Sequence, residues 1–138
     1  MPHTSGKPPV TIRDFELAFA CAADTLLVSR LQHEPVGRSV GLSVAQLREI
    51  RLTPPFAPLP APLSSLTPEL GAALLFADFV TKSVKVPQHV FDQLHSFLND
   101  TQMVDAVATV GGYNFVSRFV VALDVDSKMD VPVPIPSQ

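Results

Sequence analysis

Four histidines can move a proton in this 138-residue chain, since an imidazole near pH 7 both accepts and donates, and His33 is the one flanked by two arginines at helical offsets. Arg30 lies three residues before it and shares its face of a helix, whereas Arg38 lies five residues after it, well around the helix and nearer its end. A guanidinium beside that imidazole can clamp a carboxylate or stabilise an enolate through paired N–H donors. Ser29 stands one turn before His33, and a Ser–His pair can act as nucleophile and base. No glycine-flanked elbow or oxyanion loop accompanies it, which argues against serine chemistry. Each residue also has a plainer structural reading. His33 can be a helix-surface histidine bonded to a carbonyl, and Arg30 can pair with Glu34 at i, i+4. For Arg38 an ion pair is the preferred reading. Glu34 points about 100° away from His33 on a helix and reads as a solvated residue beside Pro35. Asp24 as a stand-in acid meets the same objection.

Tyr113, Asn114 and Arg118 are polar groups in an otherwise apolar stretch, and such groups need partners when buried. Bonds to neighbouring helices or across a subunit boundary are the first reading for them, and the lining of a ligand pocket is the second. Gly111-Gly112 reads as a place where another helix approaches closely. The one cysteine, Cys21, sits in an alanine-rich apolar segment and reads as an inert buried thiol. It leaves no partner for an internal disulfide or a Cys-x-x-Cys pair. His89 and His95 are six residues apart and His3 is remote, so no metal-ligand spacing is present and no metal is expected.

A net charge of −3 without a lysine or arginine cluster argues against nucleic acid as a partner. The longest apolar runs, such as Ala72 to Phe76, are too short to span a bilayer, and Met1 to Pro9 has no apolar stretch of the secretory kind. A cytoplasmic location is the expectation. Hydrophobic residues make up 46% and charged residues 17%, below the usual quarter, and this hints that partner subunits cover some apolar surface. A mean hydropathy of +0.27 points the same way.

These side chains must be held by helices. Residues 1–10 are polar and proline-bearing and read as a flexible lead-in to a single helical domain over 11–125. Phe15, Ala18, Phe19, Ala22 and Leu26 recur at spacings of three and four, with Thr11 or Asp14 as cap. A helical piece holding His33 ends near Gly41, and Ser43-Val44-Ala45-Gln46 has capping-box spacing before Leu47 and Ile50. Residues 53–66 form a proline-rich strap, since five of the nine residues from Pro54 to Pro62 are proline and favour an extended path. Thr67-Pro68-Glu69 starts a helix that runs to about Lys85, and Pro87 opens the next, with Val90, Phe91, Leu94, Phe97 and Leu98 at helical spacing. The last helix covers about Asp100 to Leu123, and 126–138 is an extended tail, a candidate for contact with a neighbouring subunit. The fold class is all-α.

The segment from Gln102 to Phe119, with Val110-Gly111, Tyr113-Asn114 and Arg118 in order, resembles the C-terminal helix of the carboxymuconolactone decarboxylase and alkylhydroperoxidase D-like family. Leu74 to Phe79 followed by Val84 to Pro87 is similar to its penultimate region. His33 to Ser43 is similar to its active-site helix and the turn after it, and Phe15 to Ala18 to the start of the helix before. The resemblance covers most of residues 11–125. It implies that His33 is the active-site histidine. Two departures stand out. Val28, Ser29 and Arg30 replace a Tyr-Glu-Trp triplet, so the acid is gone, and Leu26 and Ser29 replace the peroxidase Cys-x-x-Cys pair. Many family members also carry one or two more helices before the first found here, which again implies a homo-oligomer.

The resemblance therefore implies an enzyme without metal or cofactor that acts on a small organic acid, lactone or enolisable ketone, by decarboxylation, isomerisation or cyclisation. Divergent relatives occur in natural-product pathways. His33 would shuttle the proton, and Arg30, Ser29, Arg38 and Tyr113 would contact the substrate. The alternative is a helical binding or scaffold subunit that kept the fold and lost the chemistry, which the missing acid and thiols favour.

Overall fold

The computed structural model describes residues 34–39, 41–58, 63–125 and 135–137. Among them the architecture is all-α, without a strand. Four helices follow a helical segment at 34–39: α1 (Val44–Leu52), α2 (Pro68–Lys82), α3 (Gln88–His95) and α4 (Asp100–Ala122). The segments expected at 1–10 and 11–33, including the first amphipathic helix and Cys21, lie outside the described residues.

The helix boundaries follow from local chemistry. The segment 34–39 ends at Gly41, whose φ of 102° is open to glycine at little cost. The Gly41 N–H donates to the Arg38 carbonyl (3.1 Å) and the Leu42 N–H to the Gly37 carbonyl (3.0 Å), a Schellman closure. Ser43 then opens α1 with a full capping box: its hydroxyl accepts from the Gln46 N–H while the Gln46 side chain accepts from the Ser43 N–H. Thr67 caps α2 by accepting from the Leu70 N–H, with Pro68 in the first turn and Glu69 at the positive end of the helix. Asn99 and Gln102 form the same reciprocal box at the start of α4.

Three features depart from the sequence pattern. Helix α2 stops at Lys82, short of Lys85, because Val84 takes a left-handed φ of 63° directly after the Ser83 cap. Helix α3 ends at His95, so Phe97 and Leu98 lie in the turn beyond it; Leu98 is buried there and Phe97 exposed. Within the proline strap, residues 54–57 make a hydrogen-bonded turn and not an extended run: the Ala57 N–H donates to the Pro54 carbonyl, and Phe56 has φ 65°.

The core is centred on α2. Every residue from Leu70 to Asp78 is buried, so the helix needs cover on all sides. Leu47 and Ile50 of α1, Leu66 before α2, Val90 and Leu94 of α3, Leu98, and Met103, Ala106 and Val110 of α4 supply it. Phe76, Leu94, Val90 and Val110 are the largest side chains sealed in this interior. At 135–137 the chain returns to its own body: the Ser137 carbonyl accepts from Arg38 (2.7 Å) and the Pro136 carbonyl from Arg48 (3.0 Å). The rest of the tail, 126–134 and 138, lies outside the described residues.

Leu94→Ala removes a fully enclosed side chain, and we expect it to destabilise the fold by about 2–5 kcal/mol in denaturant unfolding. Val84→Gly relieves a β-branched residue of the left-handed region at an 83% exposed site, and we expect it to stabilise by about 1 kcal/mol. A loss of stability in the glycine variant would contradict the left-handed stop.

Candidate functional site

The residues singled out for chemistry divide sharply. His33, Arg30 and Ser29 lie outside the described residues. Arg38 is described, and its guanidinium is engaged: Nη2 lies 2.8 Å from Glu34 Oε1, one turn back, and 2.7 Å from the Ser137 carbonyl. Arg38 thus ties the helical segment to the C-terminal residues, in line with the ion-pair reading, with Glu34 as its partner. Glu34 itself is drawn into that pair.

Tyr113 sits half-buried on α4, and its carbonyl accepts from the Ser117 hydroxyl (2.5 Å). Its neighbours form a seam between α2 and α4. Asn114, only 8% exposed, donates through Nδ2 to the Thr81 hydroxyl (3.0 Å) and to the Val110 carbonyl (3.0 Å). Arg118 Nη1 donates to Asn114 Oδ1 (2.7 Å) and to the Asn114 carbonyl (3.1 Å). Both kinds of group on Asn114 are therefore satisfied, as a buried amide requires. Arg38 and Tyr113 thus belong to two different polar clusters.

Two acidic residues escaped the sequence reading. Asp78 is 7% exposed within the apolar run of α2, and its Oδ2 accepts from the Phe56 N–H (3.2 Å). Burial pushes its carboxyl above the usual range, while the Phe56 N–H and the Lys82 charge pull the other way. The signal was a carboxylate among Leu74, Leu75, Phe76, Ala77, Phe79 and Val80. Glu49 on α1 gathers the end of the loop before α2: its carboxylate accepts from the hydroxyls of Ser64 and Ser65 and from the Ser65 N–H. Desolvation pushes its pKa up, but these donors and the Leu66 backbone outweigh that, and the net shift is downward.

Between α3 and the first half of α4 lies an open groove of about 480 Å³ lined by Phe91, His95, Met103, Val104, Val107 and Ala108. His95 Nε2 meets Asp100 Oδ1 at 2.8 Å on its rim. That pair joins the C-terminus of α3 to the N-terminus of α4, where the Asp100 carboxylate suits the positive end of the helix. Among the described residues no group of three or more His, Cys, Asp or Glu side chains could hold a metal ion. No described helix is long and apolar enough to cross a membrane.

The groove opens onto a larger apolar surface. Helix α4 turns its small face inward, with Met103, Ala106, Val110 and Asn114 buried. Outward it presents Val104 (68% exposed), Val107 (47%), Phe115 (70%), Val116 (54%) and Phe119 (55%), with Leu123 (62%) at the end of the helix. Phe115 and Phe119 stack on each other, their ring centroids 6.2 Å apart. Gly111 and Gly112 lie on the same side, and a Cβ added at either would meet nothing within 4 Å. The close helix approach that Gly111-Gly112 implied is therefore not made among the described residues. Comparison with protein-family models, with curated proteins and with solved structures finds no match to this chain.

The acidic pair predicts opposite pH responses. Glu49, with its pKa lowered, supplies stability that is present above 4.5 and lost as pH falls through its folded-state value. Asp78, with its pKa raised, costs stability as pH climbs from 3.8 through its folded-state value. Asp78→Asn keeps an acceptor for Phe56 and removes the buried charge, so urea unfolding at pH 7 should show a more stable protein whose acid-side gain has gone. An unchanged profile would contradict the buried-carboxylate assignment.

Proposed function

We propose that this chain is a self-associating helical subunit that serves as a binding or scaffold module, with a second copy covering the outer side of α4. The single observation that carries the reading is the outward side of α4, where Val104, Phe115 and Phe119 are large, apolar and at least 55% exposed, with exposed Val107 and Val116 to either side. Exposed apolar patches of this kind mark interaction sites. The low charged fraction of 17% agrees with it. The carboxymuconolactone decarboxylase-like pattern from His33 to Arg118 is part of this proposal, and it also implies a homo-oligomer.

A second reading keeps chemistry at His33. Residues 34–39 are helical and stop at Gly41, as the pattern around His33 implies for an active-site helix, and Arg38 is fastened to Glu34 and Ser137. Under this reading the chain is an enzyme without metal or cofactor. Its substrate is a small organic acid, lactone or enolisable ketone, and the setting is natural-product biosynthesis in the cytoplasm. His33 exchanges the proton α to a carbonyl, Arg30 and Ser29 contact the substrate, and Arg38 and Tyr113 stand in supporting positions.

Two experiments separate the readings. In sedimentation equilibrium the full chain should run as a dimer or larger, and Phe119→Asp should shift it toward the 14.9 kDa monomer without loss of helical circular dichroism. A wild-type monomer at every concentration would refute self-association. Deuterium uptake at C3 of 2-oxo acids and at the carbon α to the carbonyl of lactones, followed by NMR, tests the second reading: it requires uptake in the wild type and none with His33→Ala. Equal uptake with both proteins removes His33 from any mechanism.

A further inference from the structure

Residues 135–137 are held by elements other than α4, and they are held in the manner of a bound peptide. Two guanidinium groups from different elements converge on successive carbonyls of this short stretch. Arg48 Nη1, on α1, donates to the Pro136 carbonyl (3.0 Å), and Arg38 Nη2, in the segment 34–39, donates to the Ser137 carbonyl (2.7 Å). Pro136 is buried between exposed Ile135 and exposed Ser137. We propose that the segment 34–39 and α1 form a docking site for an extended, proline-bearing peptide. The chain's own Ile135-Pro136-Ser137 fills that site, and a proline-bearing segment of a partner protein enters it when the tail leaves.

The site is built by the turn that joins its two elements. Gly37 is buried, and a Cβ added there would lie 3.3 Å from Leu42 Cδ1 and 3.5 Å from Leu47 Cδ2, so the segment 34–39 lies close against α1. The Schellman closure at Gly41 and the capping box at Ser43 fix the path between them. Glu34 holds the Arg38 guanidinium from one turn back (2.8 Å). The two donors are thus carried on a defined backbone, and adjacent carbonyls of the tail meet them.

The chemistry of the site favours proline. A buried residue needs a partner for its N–H, and proline has no N–H to satisfy. Its carbonyl is the remaining backbone group, and Arg48 takes it. Proline also fixes its own φ and biases the residue before it toward extended backbone, so Ile135-Pro136 loses little conformational freedom on docking. Both arginines bond to main-chain oxygens. The site therefore reads an extended backbone and one proline ring, and asks little of the other side chains.

The connection to α4 makes the tail a built-in competitor. A segment joined to the same chain meets the site at an effective concentration of about 1 mM, so a free peptide of equal affinity competes only near that level. A partner segment gains entry by binding more tightly or after the tail is displaced.

The test uses the full chain and a fluorescein-labelled peptide with the sequence of residues 131–138, read by fluorescence anisotropy. Pro136→Asp puts a charge at the buried position and releases the chain's own tail. The proposal predicts that the Pro136→Asp protein binds the peptide about tenfold more tightly than the wild type, or better. Arg48→Ala added to Pro136→Asp should weaken that binding about tenfold, and Arg38→Ala should do the same, with helical circular dichroism unchanged. The peptide carrying the Pro136→Asp change should bind none of these proteins. Equal affinity of the wild-type and Pro136→Asp proteins would overturn the occupancy of the site by the tail. Binding that survives both arginine changes would overturn the site itself, as would the absence of binding to Pro136→Asp at about 1 mM peptide.

Discussion

The burial of α2 on every side is the constraint on which the rest depends. A helix whose residues from Leu70 to Asp78 are all excluded from water gives its neighbours no choice of face. Each must turn its best-fitting side inward. Helix α3 contributes Val90 and Leu94, α1 contributes Leu47 and Ile50, and α4 contributes a narrow strip of Met103, Ala106, Val110 and Asn114. Because Ala72, Ala73 and Ala77 keep α2 slim, close-fitting partners are favoured over bulky ones. The bulk of α4 therefore faces out, and the outward row is a consequence of how the core is packed.

The polar residues fall into place around the same constraint. Asp78 is buried because it belongs to α2, and the Phe56 N–H is the donor that the strap delivers to it. Asn114 lies on the inward strip of α4, where Thr81 of α2 and Arg118 one turn along its own helix complete its bonds. These groups lock the two helices in register, since an unpaired amide there would cost about 1–3 kcal/mol. Glu49 performs the comparable task for α1 and the approach to α2. Asn114 fastens a helix pair, while Asp78 and Glu49 each fasten a loop to a helix.

Much of this was legible in the sequence where a local rule acts alone. The boxes at Ser43, the cap at Thr67, and the stop at Gly41 were readable because one side chain or one φ value decides them. The inward face of α4 was not. Apolar residues surround that helix, so periodicity could not say which of Val104, Val110, Phe115 or Phe119 meets the core; the width of α2 decides it. The end of α2 was misplaced for a related reason. Val84 adopts the left-handed conformation in a place where glycine is the usual mark. Of the candidate site, the ion-pair character of Arg38 and the helix-binding role of Asn114 and Arg118 were readable from the need of polar groups for partners. Asp78 was passed over because a single carboxylate inside an apolar run carries no pattern of its own.

The central claim is that the outer side of α4 is closed by a second copy of the chain. Hydroxyl-radical footprinting of the full-length protein over a range of concentrations tests it at the residues concerned. The account predicts that oxidation of Phe115 and Phe119 falls as concentration rises, while that of exposed Leu52 on α1 stays constant. Oxidation of the two phenylalanines that is independent of concentration would contradict it.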